Sequence, residues 1–208
     1  ILTSWDRTEV LVLDHLGAEP ARTLRIAAAR NAYLDRVRAA LADFDLLIML
    51  DCDDVNVEPL DIGAVKAAIS FLQQDDSRGA VFANQRGIYY DMWALRHPPR
   101  VPGDVWEEAL VYAETHGVSD LEAFNQTVRK RMFTLPADTP AIEVQSAFGG
   151  LGIYRLGAAL AGHYCGERTS GGRRLQVCEH VSFHADLRRN GWKLFIYPAL
   201  LNWTVKRM

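Results

Sequence analysis

Asp51, Cys52, Asp53 and Asp54 follow directly on five large apolar residues, Leu46 to Leu50. In an extended backbone side chains alternate, so Asp51 and Asp53 point to one side. Two carboxylates on one side repel unless a cation lies between them, and hard oxygen donors suit Mg²⁺ or Mn²⁺ held against a substrate's phosphates. The competing reading is a solvated acidic loop after a strand. A second cluster lies late in the chain, at Glu179, His180 and His184. On a helix starting near Glu179 the two histidines share a face at i, i+4. Three such groups can bind metal or move protons, or they can be a helix-capping glutamate and two satisfied core histidines. The order is not His-Glu-x-x-His, which excludes the zinc-protease motif.

Three further stretches carry chemistry. The segment after Pro20 holds Arg22, Arg25, Arg30, Arg36 and Arg38. Arg22 and Arg25 fall in the first turn of the helix expected there, where free backbone N–H groups also favour anions. They read as phosphate ligands or as solvated surface charges. Asn31 falls on the apolar face of that helix, and a buried amide needs a partner; a loop near the carboxylates can supply one. Tyr89, Tyr90, Asp91, Trp93, Arg96 and His97 mix rings with charges over a short span. Such mixtures serve sugar binding, or they are an aromatic core strand with polar flanks. Gly149, Gly150 and Gly152 permit close backbone approach to a ligand or simply make a turn. Their spacing is not that of a dinucleotide fingerprint.

The elements that position these groups follow from periodicity. The unbroken apolar run at 46–50 suits a central parallel strand buried on both faces, with its carboxylates at the C-terminal end where open α/β sheets bind ligands. Glu9 to Asp14 reads as a preceding strand, Ala21 to Asp43 as a helix, and the three as a βαβ unit. Helices are expected at about 60–74, at 105–116 between Asp104 and Gly117, and at 120–131 behind a Ser119/Glu122 capping box. Further helices are expected at 158–164 and from Glu179 to Asn190-Gly191. Strands are expected at 80–84, 142–146 and 192–198. The helices after Pro102 read as a small insertion on the sheet, and Gly166 to Arg174 as a mobile loop.

Composition sets the frame. The chain has 208 residues, 49% hydrophobic and 24% charged, with net charge −3. That is an ordinary globular composition with no broad positive field for nucleic acid or anionic lipid. No apolar run approaches the length needed to span a bilayer. Cys52, Cys165 and Cys178 form no zinc pattern and read as reduced thiols, which points to a cytoplasmic location, including the inner membrane face as a peripheral site. The expectation is one domain over 1–208, lacking its first strand or strands and belonging to a longer protein.

Four blocks in order resemble the GT-A glycosyltransferases. They are Asp51-Cys52-Asp53 (a DxD motif), Tyr90-Asp91-Met92-Trp93-Ala94-Leu95-Arg96, Phe148-Gly149-Gly150 and Cys178-Glu179-His180. Their pattern is similar to the fungal capsule-type α-mannosyltransferase group and its bacterial relatives. The resemblance implies an α/β fold with a Rossmann-like, mostly parallel central sheet. It implies transfer of a sugar from a UDP- or GDP-linked donor to a carbohydrate acceptor, in polysaccharide or glycoconjugate synthesis. Asp51 and Asp53 would hold Mn²⁺ or Mg²⁺ against the diphosphate, with His180 or His184 as third ligand. Arg22, Arg25 and Asn31 would belong to the donor site. Glu179 would act as base on the acceptor, with Asp91 beside it as catalytic. Tyr90, Trp93, Arg96, Gly149, Gly150 and His180 would line the sugar and acceptor cleft. Two competitors remain: a haloacid-dehalogenase-type phosphatase using Asp51 and Asp53, which lacks a downstream Gly-Asp-x-x-x-Asp, and a non-catalytic carbohydrate-binding domain of GT-A ancestry.

Overall fold

The computed structural model describes residues 9–39, 44–52 and 54–202. Asp53, one of the two expected metal carboxylates, lies outside them. The apolar run forms strand β1 (Leu46–Leu50), and the acidic loop after it leads to helix α2 (Ile62–Gln73), preceded by helix α1 (Arg22–Ala39). Asp61 caps α2, accepting from the amides of Gly63 and Ala64. Strand β2 (Arg78–Gln85) and the short β3 (Ile88–Tyr89) follow. β3 pairs with β4 (Phe133–Thr134) across the helical insertion.

The insertion forms with the caps its sequence announces. Asp104 accepts from the amides of Trp106 and Glu107 at the head of α3 (Val105–His116), and Gly117 ends that helix at φ 63°. Ser119 accepts from the Glu122 amide to start α4 (Asp120–Thr127). Only half the capping box forms, because the Glu122 carboxylate accepts from Gln126 Nε2 at 3.0 Å instead. The helix stops at Thr127, short of the expected Arg131, and a 3-10 turn covers Arg129–Arg131.

Strands β5 (Ile142–Val144) and β6 (Leu151–Arg155), helix α5 (Leu156–Leu160), the hairpin β7 (Glu167–Ser170) and β8 (Arg173–Gln176), helix α6 (Glu179–Arg189) and strand β9 (Lys193–Asn202) complete the chain. The basic segment expected as a mobile loop is that hairpin. Gly171 and Gly172 make its turn at φ 56° and 76°, a geometry other residues rarely adopt. Its strands are tied by Arg174 to Glu167, and it docks on α3 through Arg168 to Glu107.

The main sheet has the order β1-β6-β2-β9-β5. It is mixed rather than mostly parallel: β6 runs antiparallel to β1 and β2, β5 runs antiparallel to β9, and β2 with β9 is the one parallel pair among the described strands. β1 is an edge strand rather than a central one. Met49 is buried, but Ile48 is 50% exposed and Leu50 43%. Apolarity on both faces predicted cover on both faces; α2 packs over β6, β2 and β9 and leaves β1 largely uncovered on its side. The expected strand at Glu9–Asp14 is irregular chain leading into a 3-10 turn at Asp14–Ala18, with Val10, Leu11 and Val12 exposed and no sheet neighbour. The βαβ unit therefore does not form among the described residues.

Alternation divides the core. Ala80, Phe82, Tyr154, Leu194 and Ile196 face α1, α5 and α6 on one side, while Val81, Ala83, Leu151, Ile153 and Leu200 face α2 on the other. Because β6 is antiparallel to both neighbours, the C-terminal ends of β1 and β2 and the N-terminal end of β6 lie at one edge of the sheet. The loops leaving that edge carry Asp51, Asp91 and Phe148 to Gly150. No helix among the described residues is long and apolar enough to cross a membrane.

Candidate functional site

A cleft of about 420 Å³ opens at that edge, between the first half of α1, the loop after β1, the segment 91–94 and the start of α6. Arg22, Arg30, Asp51, Asp91, Trp93, Glu179 and His180 line it, with Phe148 and Cys178. Arg22, Ile26 and Arg30 reach it at spacings of four, one face of α1. Arg30 is the organising cation. Its Nη2 donates to Asp51 Oδ1 at 2.9 Å and its Nε to Glu179 Oε1 at 3.1 Å, with the guanidinium 5.0 Å from the Phe148 ring centroid. Burial opposes its charge, but Tyr164, Glu179, Tyr33 and Asp51 outweigh that and hold its pKa above the usual arginine range.

The backbone around the cleft is fixed by the glycine turn. The Gly149 amide donates to Asp91 Oδ2 at 2.8 Å, and Gly150 O accepts from the Asp51 amide at 2.9 Å and from Asn56 Nδ2 at 3.0 Å. Both glycines have positive φ. A Cβ on Gly150 would stand 2.5 Å from Val55 Cγ2, and one on Gly149 2.3 Å from Gln85 Nε2. The close approach these glycines permit is to the protein's own chain, joining the loop after β1 to β2 and β9.

Electrostatics separate the acids from the bases. Burial pushes the Asp91 carboxyl up, tempered by the amides of Gly149 and Ala94. Burial also raises Glu179, and Arg30 only partly offsets it. Glu179 is the first residue of α6, and Cys178 before it makes no side-chain cap, so the capping role weighed for the glutamate belongs to neither. His180 is buried and stacked on Phe148, with centroids 3.9 Å apart; neither ring nitrogen has a hydrogen bond, and Nε2 stands 3.6 Å from Glu179 Oε1. Burial and then Arg30 hold its pKa well below the ordinary histidine value, so the ring is neutral. Burial raises the Cys178 thiol, which excludes a ready thiolate there.

Other expected site residues lie elsewhere. His184 is in the core behind the cleft, its Nδ1 bonded to Ser146 Oγ at 2.9 Å and its Nε2 to Tyr154 Oη at 3.0 Å. With both nitrogens engaged it has none left for a metal. Arg96 bridges Asp104 at 2.8 Å and donates to the carbonyls of Trp93 and Leu95, bracing the head of α3. Asn31 clamps residue 164, its Nδ2 donating to Tyr164 O and its Oδ1 accepting from the Tyr164 amide, both at 2.9 Å. Arg25 donates to the carbonyl of Glu19 at 2.6 Å, outside the cleft. Tyr90 precedes Asp91 without being among the cleft's lining residues. Arg30 and Phe148, like Ile26, Cys52, Ala94 and Cys178, line the cleft although no site role was assigned to them from sequence. The signal for Arg30 was there: it stands eight residues from Arg22, on the same helix face.

Among the described residues no group of three or more His, Cys, Asp or Glu side chains is arranged to hold a metal. The donors facing the cleft are carboxylate oxygens, chiefly the half-exposed Asp51 with Asp91 deeper. Oxygen donors of this kind are those a hard cation takes, and here they accept from Arg30 and from the Gly149 amide. No protein-family model, curated protein or solved structure matches the chain.

Proposed function

We propose that this chain is a glycosyltransferase of GT-A type, moving a sugar from a UDP- or GDP-linked donor to a carbohydrate acceptor. The observation that carries the reading is the meeting of Asp51, Asp91 and Glu179 around Arg30 in one polar cleft. Arg22, at the mouth, and Arg30 offer guanidinium forks to phosphate oxygens. Asp51, with Asp53, would hold Mn²⁺ or Mg²⁺, which would neutralise charge building on the departing diphosphate. In this reading Glu179 is the acceptor base: burial raises its proton affinity, and ligand phosphates that draw Arg30 away raise it further. As the acceptor oxygen bonds to the sugar's anomeric carbon and the bond to the diphosphate breaks, the hydroxyl proton goes to Glu179. Neutral His180 presents an unpartnered nitrogen beside that carboxylate and can steady it or a sugar hydroxyl.

A phosphatase using Asp51 as phosphoryl acceptor has less support, since Asp51 Oδ1 is tied to Arg30 and no lysine is among the cleft's lining residues. The Arg30 bridge does favour one other reading, a binding domain without turnover, because it neutralises two of the three acids in place.

Calorimetry with UDP and GDP, with and without MnCl₂, is the test. Metal-dependent binding is expected, weakened about tenfold or more in Asp51→Asn. Glu179→Gln should bind as the parent does and lose about 10²–10⁴-fold in transfer. Equal affinity in the parent and Asp51→Asn, with Mn²⁺ present, would overturn the donor site. Metal-dependent binding with no transfer by the parent would select the binding domain.

A further inference from the structure

Trp93 lines the cleft, and its indole nitrogen is buried without a hydrogen-bond partner. Its ring touches a second tryptophan edge-on: the centroids of Trp93 and Trp106 are 6.2 Å apart at 78°. Trp106 in turn stacks on Phe124 of α4, at 5.4 Å and 28°. The three rings make a continuous path from the cleft across the helical insertion. Trp106 is 41% exposed, and no hydrogen bond engages its indole nitrogen among the described residues. It stands as a blade between two small clefts, of about 160 Å³ and 250 Å³. Glu107, Arg168 and Gln176 edge the first and Asp120 the second.

We infer that Trp93, Trp106 and Phe124 form a binding platform for a neutral oligosaccharide, entering the cleft with one end and laying successive pyranose rings along the aromatics. Sugar rings present C–H faces that pack on aromatic surface, and their hydroxyls need polar partners at the rim. This path supplies an exposed ring at Trp106, with Glu107, Arg168 and Gln176 as polar partners on one side and Asp120 on the other. Two separate clefts beside one blade suit single rings better than they suit a helix or a broad protein face. A lipid surface fits less well, because Arg168 and Arg173 are already paired with Glu107 and Glu114, and Asp120 and Glu122 at the head of α4 repel anionic headgroups. The occupant's identity as the acceptor rests on the transfer reading; the saccharide binding itself does not.

The experiment titrates the full chain with cellohexaose, mannohexaose and maltohexaose and with the matching monosaccharides, following tryptophan fluorescence. At least one hexasaccharide should bind about tenfold more tightly than its monosaccharide. Trp106→Leu keeps apolar bulk against Phe124 and removes the ring face, so it should lose that chain-length advantage; Trp106→Phe should retain most of it. Melting curves on both variants confirm that they fold. The inference is overturned if none of the three hexasaccharides binds, if Trp106→Leu keeps the full advantage, or if phosphatidylserine vesicles capture the parent and not Trp106→Leu. Nucleotide binding with Mn²⁺, measured on the same samples, separates the two proposals. Nucleotide bound without saccharide removes the platform alone, and saccharide bound without nucleotide removes the donor site alone.

Discussion

A histidine between two hydroxyls, wholly out of water, is set by its surroundings to stay neutral. For His184 burial is the larger cause and the Arg30 charge the second, and together they push its pKa down to about 3 from an ordinary 6.5. The sign of the consequence follows from proton counting. Between those values the unfolded chain binds a proton that the folded chain refuses, so stability is lost as the pH falls through that window. His180, also held low, acts in the same direction. Asp91 and Glu179 act oppositely, since their raised pKa values let the folded chain take up protons first as the solution is acidified. The melting temperature should therefore fall from pH 6.5 toward pH 4, softened by the two carboxyls. His184→Leu leaves the hydroxyls of Ser146 and Tyr154 unpartnered and should melt lower at neutral pH, by about 1–3 kcal/mol per hydroxyl left unmatched. Its acid slope should be shallower than the parent's. Melting curves across that range decide the matter, and parallel slopes would show that His184 does not carry the effect.

The unit that holds the cleft's backbone is the glycine turn before β6. Gly150 binds the Asp51 amide and the Asn56 side chain through one carbonyl, and its φ of 85° suits no other residue well. Gly150→Ala meets both that backbone cost and the Val55 side chain, so a loss of about 1–3 kcal/mol is expected. Metal-dependent nucleotide affinity should fall with it, since the loop carrying Asp51 loses its anchor; denaturant unfolding beside calorimetry measures both. An unchanged affinity in folded Gly150→Ala would make the turn structural only. Local signals made much of this level legible. Asp104, Gly117 and Ser119 marked their helix ends because capping is decided within a few residues. The hairpin at 167–176 was missed because its strands are arginine-rich and exposed, with only Gly171-Gly172 to announce the turn. Glu9 to Asp14 failed the other way: it has strand composition, but a strand needs a neighbour, and pairing partners are not written locally. The site divides along the same line. Asp51, Asp91 and Glu179 came together from separate motifs, whereas Asn31 and His184 turned inward to partners far along the chain and Arg96 to Asp104 and carbonyls within eight residues.

At the scale of the whole molecule, β1 has one paired side and one bare side among the described strands. Its partners in β6 fix which way its side chains point. Ile48 lies opposite Ile153 and Leu50 opposite Leu151, and both β6 residues are buried under α2. Ile48 and Leu50 therefore belong to the α2 side of the sheet, where they stand half-exposed with Ile62 exposed at the head of that helix. An apolar edge strand with free N–H and C=O groups is a template for another strand. The purified chain is expected to associate as its concentration rises, through this edge. Ile48→Lys places a charge on the exposed position without disturbing Met49, which points to the opposite, buried face. Sedimentation velocity over a wide concentration range should show association in the parent and little in the variant. The melting point should change by no more than an ordinary surface substitution allows, about 0.5 kcal/mol. A large drop in the melting point would mean that Ile48 is packed rather than exposed. A parent that stays monomeric throughout would mean that this edge is protected in solution, and the reading of β1 as a bare edge would fail with it.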